Sequence, residues 1–292
     1  MFVSNLNFDF QQKFYFNPNF QATKVPQYVQ RNFDIANQLK DLKCVKKNQY
    51  SDLLKNANKK NDFALILGSI LNNIFDDFMQ KILEKFDIDE LIKNQNIPKA
   101  IEKSLKALNT KYESMMASAC KIVAQKDTNS EVLKIKNELA EMGVETTFDN
   151  DLSVARKCLK AMKFLKSKNF PLPDEIISEN ILESCFATNI KNKKIIVLHS
   201  DCINKKGSSI YPSASTNSPI HEIVHECVHL TQPSSLSYML KQLPGKYREI
   251  ADNLSGYACE NYFHEVHAEL ITKKLLSKLT KDEEMLLKYM ES

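Results

Sequence analysis

Residues 218–231 read SPIHEIVHECVHLT, and this segment contains the pattern HExxH in two overlapping registers. The first register runs from His221 to His225, and the second runs from His225 to His229. On an α-helix, histidines four residues apart point the same way and can share one metal ion. The apolar residues between them give the helix a second face that can be buried. The segment therefore predicts an amphipathic helix, capped at Ser218, that carries metal-ligating side chains.

The glutamate that follows the first histidine of each register is the candidate general base, because it lies beside the metal and can accept a proton from a bound water. We favour the register formed by His225, Glu226 and His229, since apolar residues precede it and uncharged residues follow it. The alternative register uses His221, Glu222 and His225, and it places the motif in the first helical turn. In the favoured register His221 is not a ligand, and it is expected to be an exposed neighbour, with a contact to the substrate as the alternative.

A second cluster of candidate ligands lies downstream, where residues 260–270 read ENYFHEVHAEL. Glu265 and Glu269 are four residues apart, so they share one face of a predicted helix. An HExxH helix followed by such an ExxA helix resembles the zincin metallopeptidases of the gluzincin type. The resemblance implies that Glu265 is the third zinc ligand beside His225 and His229. It also implies that Glu269 supports a zinc-binding histidine without binding the metal itself.

The resemblance covers roughly residues 150–292 and implies a zinc-dependent endopeptidase that acts on a protein substrate. Zn²⁺ would polarise the scissile carbonyl and lower the pKa of its water, with Glu226 as general base and then proton shuttle. The strand before the metal-binding helix is expected to be the sheet edge that pairs with an extended substrate in this family. A donor for the developing oxyanion is also expected. The candidates for it are Tyr257, Tyr262, His264 and His267.

Two other functions use the same residues. The same ligands could serve a zinc hydrolase of a non-peptide amide or ester. A helical scaffold or adaptor with a structural or vestigial zinc site is the non-enzymatic alternative. A helical region without a signal peptide, followed by a zincin-like region, also resembles the layout of metallopeptidase effectors that bacteria inject into the cytosol of host cells.

Composition and periodicity predict a mainly helical chain. The 292 residues include only 5 glycines, which disfavours turn-rich all-β folds. Residues 63–122 carry apolar side chains at three- and four-residue steps, typical of long helices. The best strand is 194–198, with a hairpin partner around 185–190. The predicted fold class is therefore mainly α with a small sheet (α+β), divided into a helical N-terminal region, 1–149, and a zincin-like region, 150–292.

Charge and cysteine content exclude several classes of partner. The net charge of +4 is too small to indicate a nucleic-acid binder. The most apolar stretch, 63–71, is too short to span a bilayer, and the N-terminus lacks the features of a Sec-type signal peptide. The 7 cysteines form no CxxC pair, which favours reduced thiols. We therefore expect a cytosolic protein without an integral membrane segment.

Overall fold

The computed structural model describes residues 126–179, 185–190, 192–204, 218–232, 243–255 and 263–292, with isolated positions before residue 126. The chain divides into two compact units, residues 1–85 and 86–292. The predicted boundary near residue 150 lies inside the second unit, and residues 132–148 contribute to the same core as the later helices. Most of the helices predicted over 63–122 lie outside the described residues.

The described elements combine seven helices with four strands. In chain order they are α1 (Ser130–Ala140), β1 (Glu145–Thr147), α2 (Leu152–Ser167), β2 (Glu175–Glu179), β3 (Phe186–Ile190), β4 (Lys193–His199), α3 (Ser200–Asn204), α4 (His221–His229), α5 (Gly245–Ser255), α6 (Phe263–Leu275) and α7 (Lys281–Glu291). The prediction of a mainly helical α+β fold is confirmed for this part of the chain.

The four strands form one mixed sheet in the order β1-β2-β4-β3. β2 pairs in parallel with both β1 and β4, whereas β3 pairs antiparallel with β4. The β3–β4 hairpin confirms the prediction, and Asn192 in its turn adopts a φ of 67° that asparagine tolerates. The strand that precedes the HExxH helix in sequence is β4, which is internal to the sheet. The prediction that it forms the edge was wrong, because its hairpin partner β3 takes that position.

Both faces of the sheet are covered in its centre. Successive side chains of a strand point to opposite faces, so β4 contributes to two separate clusters. Ile196 and Leu198 pack with residues of α1, α2 and α4 in the main core. Ile195 and Val197 pack on the other face, against Ala117 and Cys120. This burial on both faces explains why β4 is a continuous apolar run.

Side-chain caps define where two of the helices of the main core, α1 and α2, begin. Asn129 accepts a hydrogen bond from the backbone N–H of Glu131 at 2.9 Å, so α1 begins one residue after it. Ser130 is the first helical residue. Asp151 caps α2 in the same way. Such caps satisfy backbone donors that otherwise have no partner within the helix.

Helix α6 lies between two groups of helices. One face packs with α5 and α7 through a cluster that contains Phe263, Val266 and Leu270. Another face contacts α4, the helix that carries the HExxH registers. Ala268 is fully buried, and its small side chain permits the close approach of α6 to a neighbour. No helix in the described part of the chain has the length and apolar character that a bilayer crossing requires.

Candidate metal centre

Helix α4 positions the histidines because its apolar face is held in the main core. Ile223, Val224 and Cys227 are fully buried there. The helix begins at His221, and no side chain caps it. The predicted side-chain cap at Ser218 was therefore wrong; the Ser218 carbonyl accepts the N–H of His221 at 3.2 Å instead.

Three of the predicted ligand atoms converge on one point. His225 Nε2 lies 3.0 Å from His229 Nε2 and 3.2 Å from Glu265 Oε2. His229 Nε2 lies 3.4 Å from the same carboxylate oxygen. Tetrahedral Zn²⁺ with bonds of about 2.0–2.1 Å holds its ligand atoms about 3.3 Å apart. The donor types and their spacing are therefore compatible with a bound metal ion, Zn²⁺ among others.

Glu269 lies on the opposite side of the His225 ring. Its Oε2 is 3.4 Å from His225 Nδ1 and 2.9 Å from His221 Nε2. This is the position expected for a carboxylate that orients a metal-binding imidazole through its second nitrogen. The prediction that His221 is exposed was wrong, because the residue is 3% exposed. Its contact with Glu269 replaces the lost contact with water.

The alternative register also assembles a complete set of donors. His221, His225 and Glu269 each offer one ligand atom within 4.8 Å of the others, as do His225, His229 and Glu265. The two sets differ in access. All three members of the first set are buried, whereas the side chains of His229 and Glu265 are 13% and 28% exposed. A catalytic metal keeps one position open to water or substrate, which favours the set that includes Glu265.

The carboxylates and imidazoles of this cluster shift one another's protonation. Burial lowers the pKa of His225, but its hydrogen bonds to Glu265 and Glu269 outweigh this and raise the pKa well above its usual value. Burial likewise opposes ionisation of Glu265, but the charge of His229 and a hydrogen bond to His225 hold its pKa well below the usual range. In the metal-free cluster these shifts favour an ionised Glu265 and a proton on His225.

Glu226 occupies a different environment from the other carboxylates. It is 6% exposed, and burial raises its pKa to about 7, against the opposing charges of His229 and His225. The pKa of Cys185 is raised by a hydrogen bond to Cys202, by burial and by the charge of Glu226. Cys185 directly precedes β3, and α4, the helix that carries Glu226, contacts that strand.

The structure describes only some of the candidates for the oxyanion donor. Tyr257 and Tyr262 lie outside the described residues. His264 Nε2 lies 3.1 Å from Glu265 Oε1, the carboxylate oxygen that does not face the other two ligands. His267 lies farther along α6, with Nδ1 3.1 Å from Gln232 Nε2. The contact made by His264 suits it to orienting Glu265.

Gln232 is part of the site and was missed from the sequence. Its Oε1 lies 2.7 Å from His229 Nδ1. Gln232 lies three residues after His229 but beyond the end of α4, so helical spacing alone does not predict this contact.

Comparisons of the chain with protein-family models, with curated proteins and with solved structures found no match.

Proposed function

We propose that this protein is a zinc-dependent endopeptidase. The observation that carries the proposal is the convergence of His225 Nε2, His229 Nε2 and Glu265 Oε2 within 3.0–3.4 Å of one another, beside the buried carboxylate of Glu226. Two imidazoles and one carboxylate are a ligand set found in catalytic zinc sites of peptidases. Bound Zn²⁺ supplies the Lewis acidity that polarises a carbonyl and lowers the pKa of water.

Glu226 is proposed to move the protons. It follows a ligand directly on α4, so it lies beside the metal position without belonging to the ligand set. A buried carboxylate beside the metal position suits a group that takes a proton from water and returns it to a leaving amine. His225 and His229 are proposed to serve as neutral ligands, held by the partners of their Nδ1 atoms.

A peptide substrate is favoured by the position of β3. Among the strands that the structure describes, this one is at the edge of the sheet and antiparallel to its neighbour, and it lies against α4. An extended peptide can add to such an edge through main-chain hydrogen bonds. Because α4 contacts β3, a peptide bound along the edge would run past the helix that carries the proposed general base. This arrangement supports cleavage of a protein chain over hydrolysis of a small amide or ester.

The test compares the wild type with Glu226→Gln, which is nearly isosteric but cannot accept a proton. Each protein is loaded with zinc and incubated with a lysate of eukaryotic cells, chosen because the layout resembles injected effector peptidases. New peptide termini are then identified by mass spectrometry. The wild type is expected to generate termini that the variant produces about 10²–10⁴-fold more slowly. Metal analysis should give equal zinc content for both.

Other outcomes identify the competing functions. Zinc bound by the wild type without new termini, but with zinc-dependent hydrolysis of small amides or esters, would favour the non-peptide hydrolase. Tightly bound zinc without hydrolysis of any kind would favour the scaffold. A wild-type protein without zinc would refute the metal centre itself.

A further inference from the structure

Gln232 links the two helices that carry the proposed zinc ligands. It lies just beyond the end of α4, and its side-chain amide makes three polar contacts. Oε1 lies 2.7 Å from His229 Nδ1, and Nε2 lies 2.6 Å from the backbone carbonyl oxygen of His264 and 3.1 Å from His267 Nδ1. One amide therefore contacts a proposed ligand on α4 and two residues of α6.

The chemistry of these partners determines how the amide is oriented. A backbone carbonyl can only accept a hydrogen bond, so the amide group facing His264 must be the NH₂ donor. The oxygen of Gln232 must then face His229, and an oxygen can only accept. His229 Nδ1 consequently carries the proton. In a neutral imidazole the other nitrogen, Nε2, is left with the lone pair that a metal requires.

Each proposed ligand has a different residue behind it. Glu269 lies behind His225, and His264 lies beside the second oxygen of Glu265. For His229, Gln232 takes this place. Such partners fix the tautomer and orientation of a ligand, and losing one typically costs 10–100-fold in metal affinity.

We propose that Gln232 is a positioning residue for the metal centre: it fixes the tautomer and ring orientation of His229 and ties the end of α4 to the start of α6. The inference rests on the zinc site proposed above. Gln232 acts only through His229 and has no proposed contact with the substrate or the metal.

The test uses two variants of Gln232 and one control. Gln232→Met keeps the length of the side chain and removes its hydrogen-bonding groups. Gln232→Glu keeps an acceptor for His229 Nδ1–H but loses the donor to His264. The control is Thr231→Val, because the Thr231 hydroxyl donates to the Val228 carbonyl at 2.8 Å at the same helix end. The full-length proteins are compared by competition with a chromophoric chelator for zinc and by thermal unfolding without metal.

We expect Gln232→Met to bind zinc about 10–100-fold more weakly than the wild type, with Thr231→Val unchanged and Gln232→Glu clearly tighter than Gln232→Met. In the zinc-loaded protein, NMR should show the His229 Nδ1–H proton protected from solvent exchange in the wild type and in Gln232→Glu, and unprotected in Gln232→Met. A role confined to folding would lower the unfolding temperature without changing either the zinc affinity or this proton.

Three results would overturn the inference. The first is wild-type zinc affinity in Gln232→Met, and the second is an equal loss of affinity in Thr231→Val. The third is Gln232→Glu binding zinc as weakly as a folded Gln232→Met. If Gln232→Met does not fold, a loss of zinc affinity of about 10-fold or more in Gln232→Glu overturns the inference instead. A wild type that binds no zinc would instead refute the proposed function, and the inference with it.

Discussion

Replacing Glu226 with Gln should stabilise the metal-free protein at neutral and alkaline pH. Glu226 has a pKa of about 7 in the folded chain, against 4.5 for an ordinary glutamate. The folded state therefore holds its proton more tightly than the unfolded state does. As the pH rises from 4.5 through 7, the unfolded chain ionises first, and the folded protein loses stability. A glutamine cannot ionise, so the variant avoids this loss.

The size of the effect follows from the two pKa values. Their difference is 7 − 4.5, and each pKa unit corresponds to about 1.4 kcal/mol, so the full effect is about 3 kcal/mol. Part of this difference in stability is already present at pH 5, because the unfolded chain begins to ionise below that pH. Between pH 5 and pH 8 the free energy of unfolding of Glu226→Gln should therefore rise by about 2–3 kcal/mol relative to the wild type. The 6% exposure of Glu226 means that solvent screens this effect little.

The assay is urea-induced unfolding of both proteins with a metal chelator present, repeated from pH 5 to pH 8. Glu131→Gln is the control, because its side chain is 61% exposed and pairs with Arg156 at the surface. Such a surface change should alter the free energy of unfolding by no more than about 0.5 kcal/mol. A stability difference for Glu226→Gln that is constant or falls with rising pH would refute the reasoning.

Three further predictions concern the metal. Alanine at His225, His229 or Glu265 should abolish most zinc binding, measured by metal analysis after dialysis, whereas His221→Ala should retain the metal; the reverse result for His221 and His229 would favour the other register. Glu269→Ala should weaken zinc binding by about 10–100-fold in a chelator competition, because His225 loses the partner of its Nδ1. Zinc added to the metal-free protein at pH 7 should release protons, because the pKa of His225 is raised and a metal-binding imidazole must be neutral. A pH indicator in weak buffer detects the release, and its absence would contradict a protonated His225.

The parts of the fold that were predictable depend on local sequence patterns. Helix α2 follows from apolar residues at helical spacing after Asp151, and the β3–β4 hairpin follows from a β-branched run and a turn. Strands β1 and β2 were not predicted. Strand β1, which ends at Thr147, has only three residues. Residues of β2 pair with residues of β4 that lie about 20 positions later in the chain. Because these strands pair with segments that are distant in sequence, the local sequence pattern contains little information about the pairing.

The sequence by itself determined which chemistry is available: imidazoles one helical turn apart on α4 and carboxylates one turn apart on α6. These spacings are properties of a single helix and need no tertiary structure. Only the packing of α6 against α4 decided which side chains meet, since it brings Glu265 to His225 and His229 and brings Glu269 to His225 and His221. The same packing buried His221 and placed Gln232 against both helices. Contacts between helices depend on their approach and orientation, which the entire core determines.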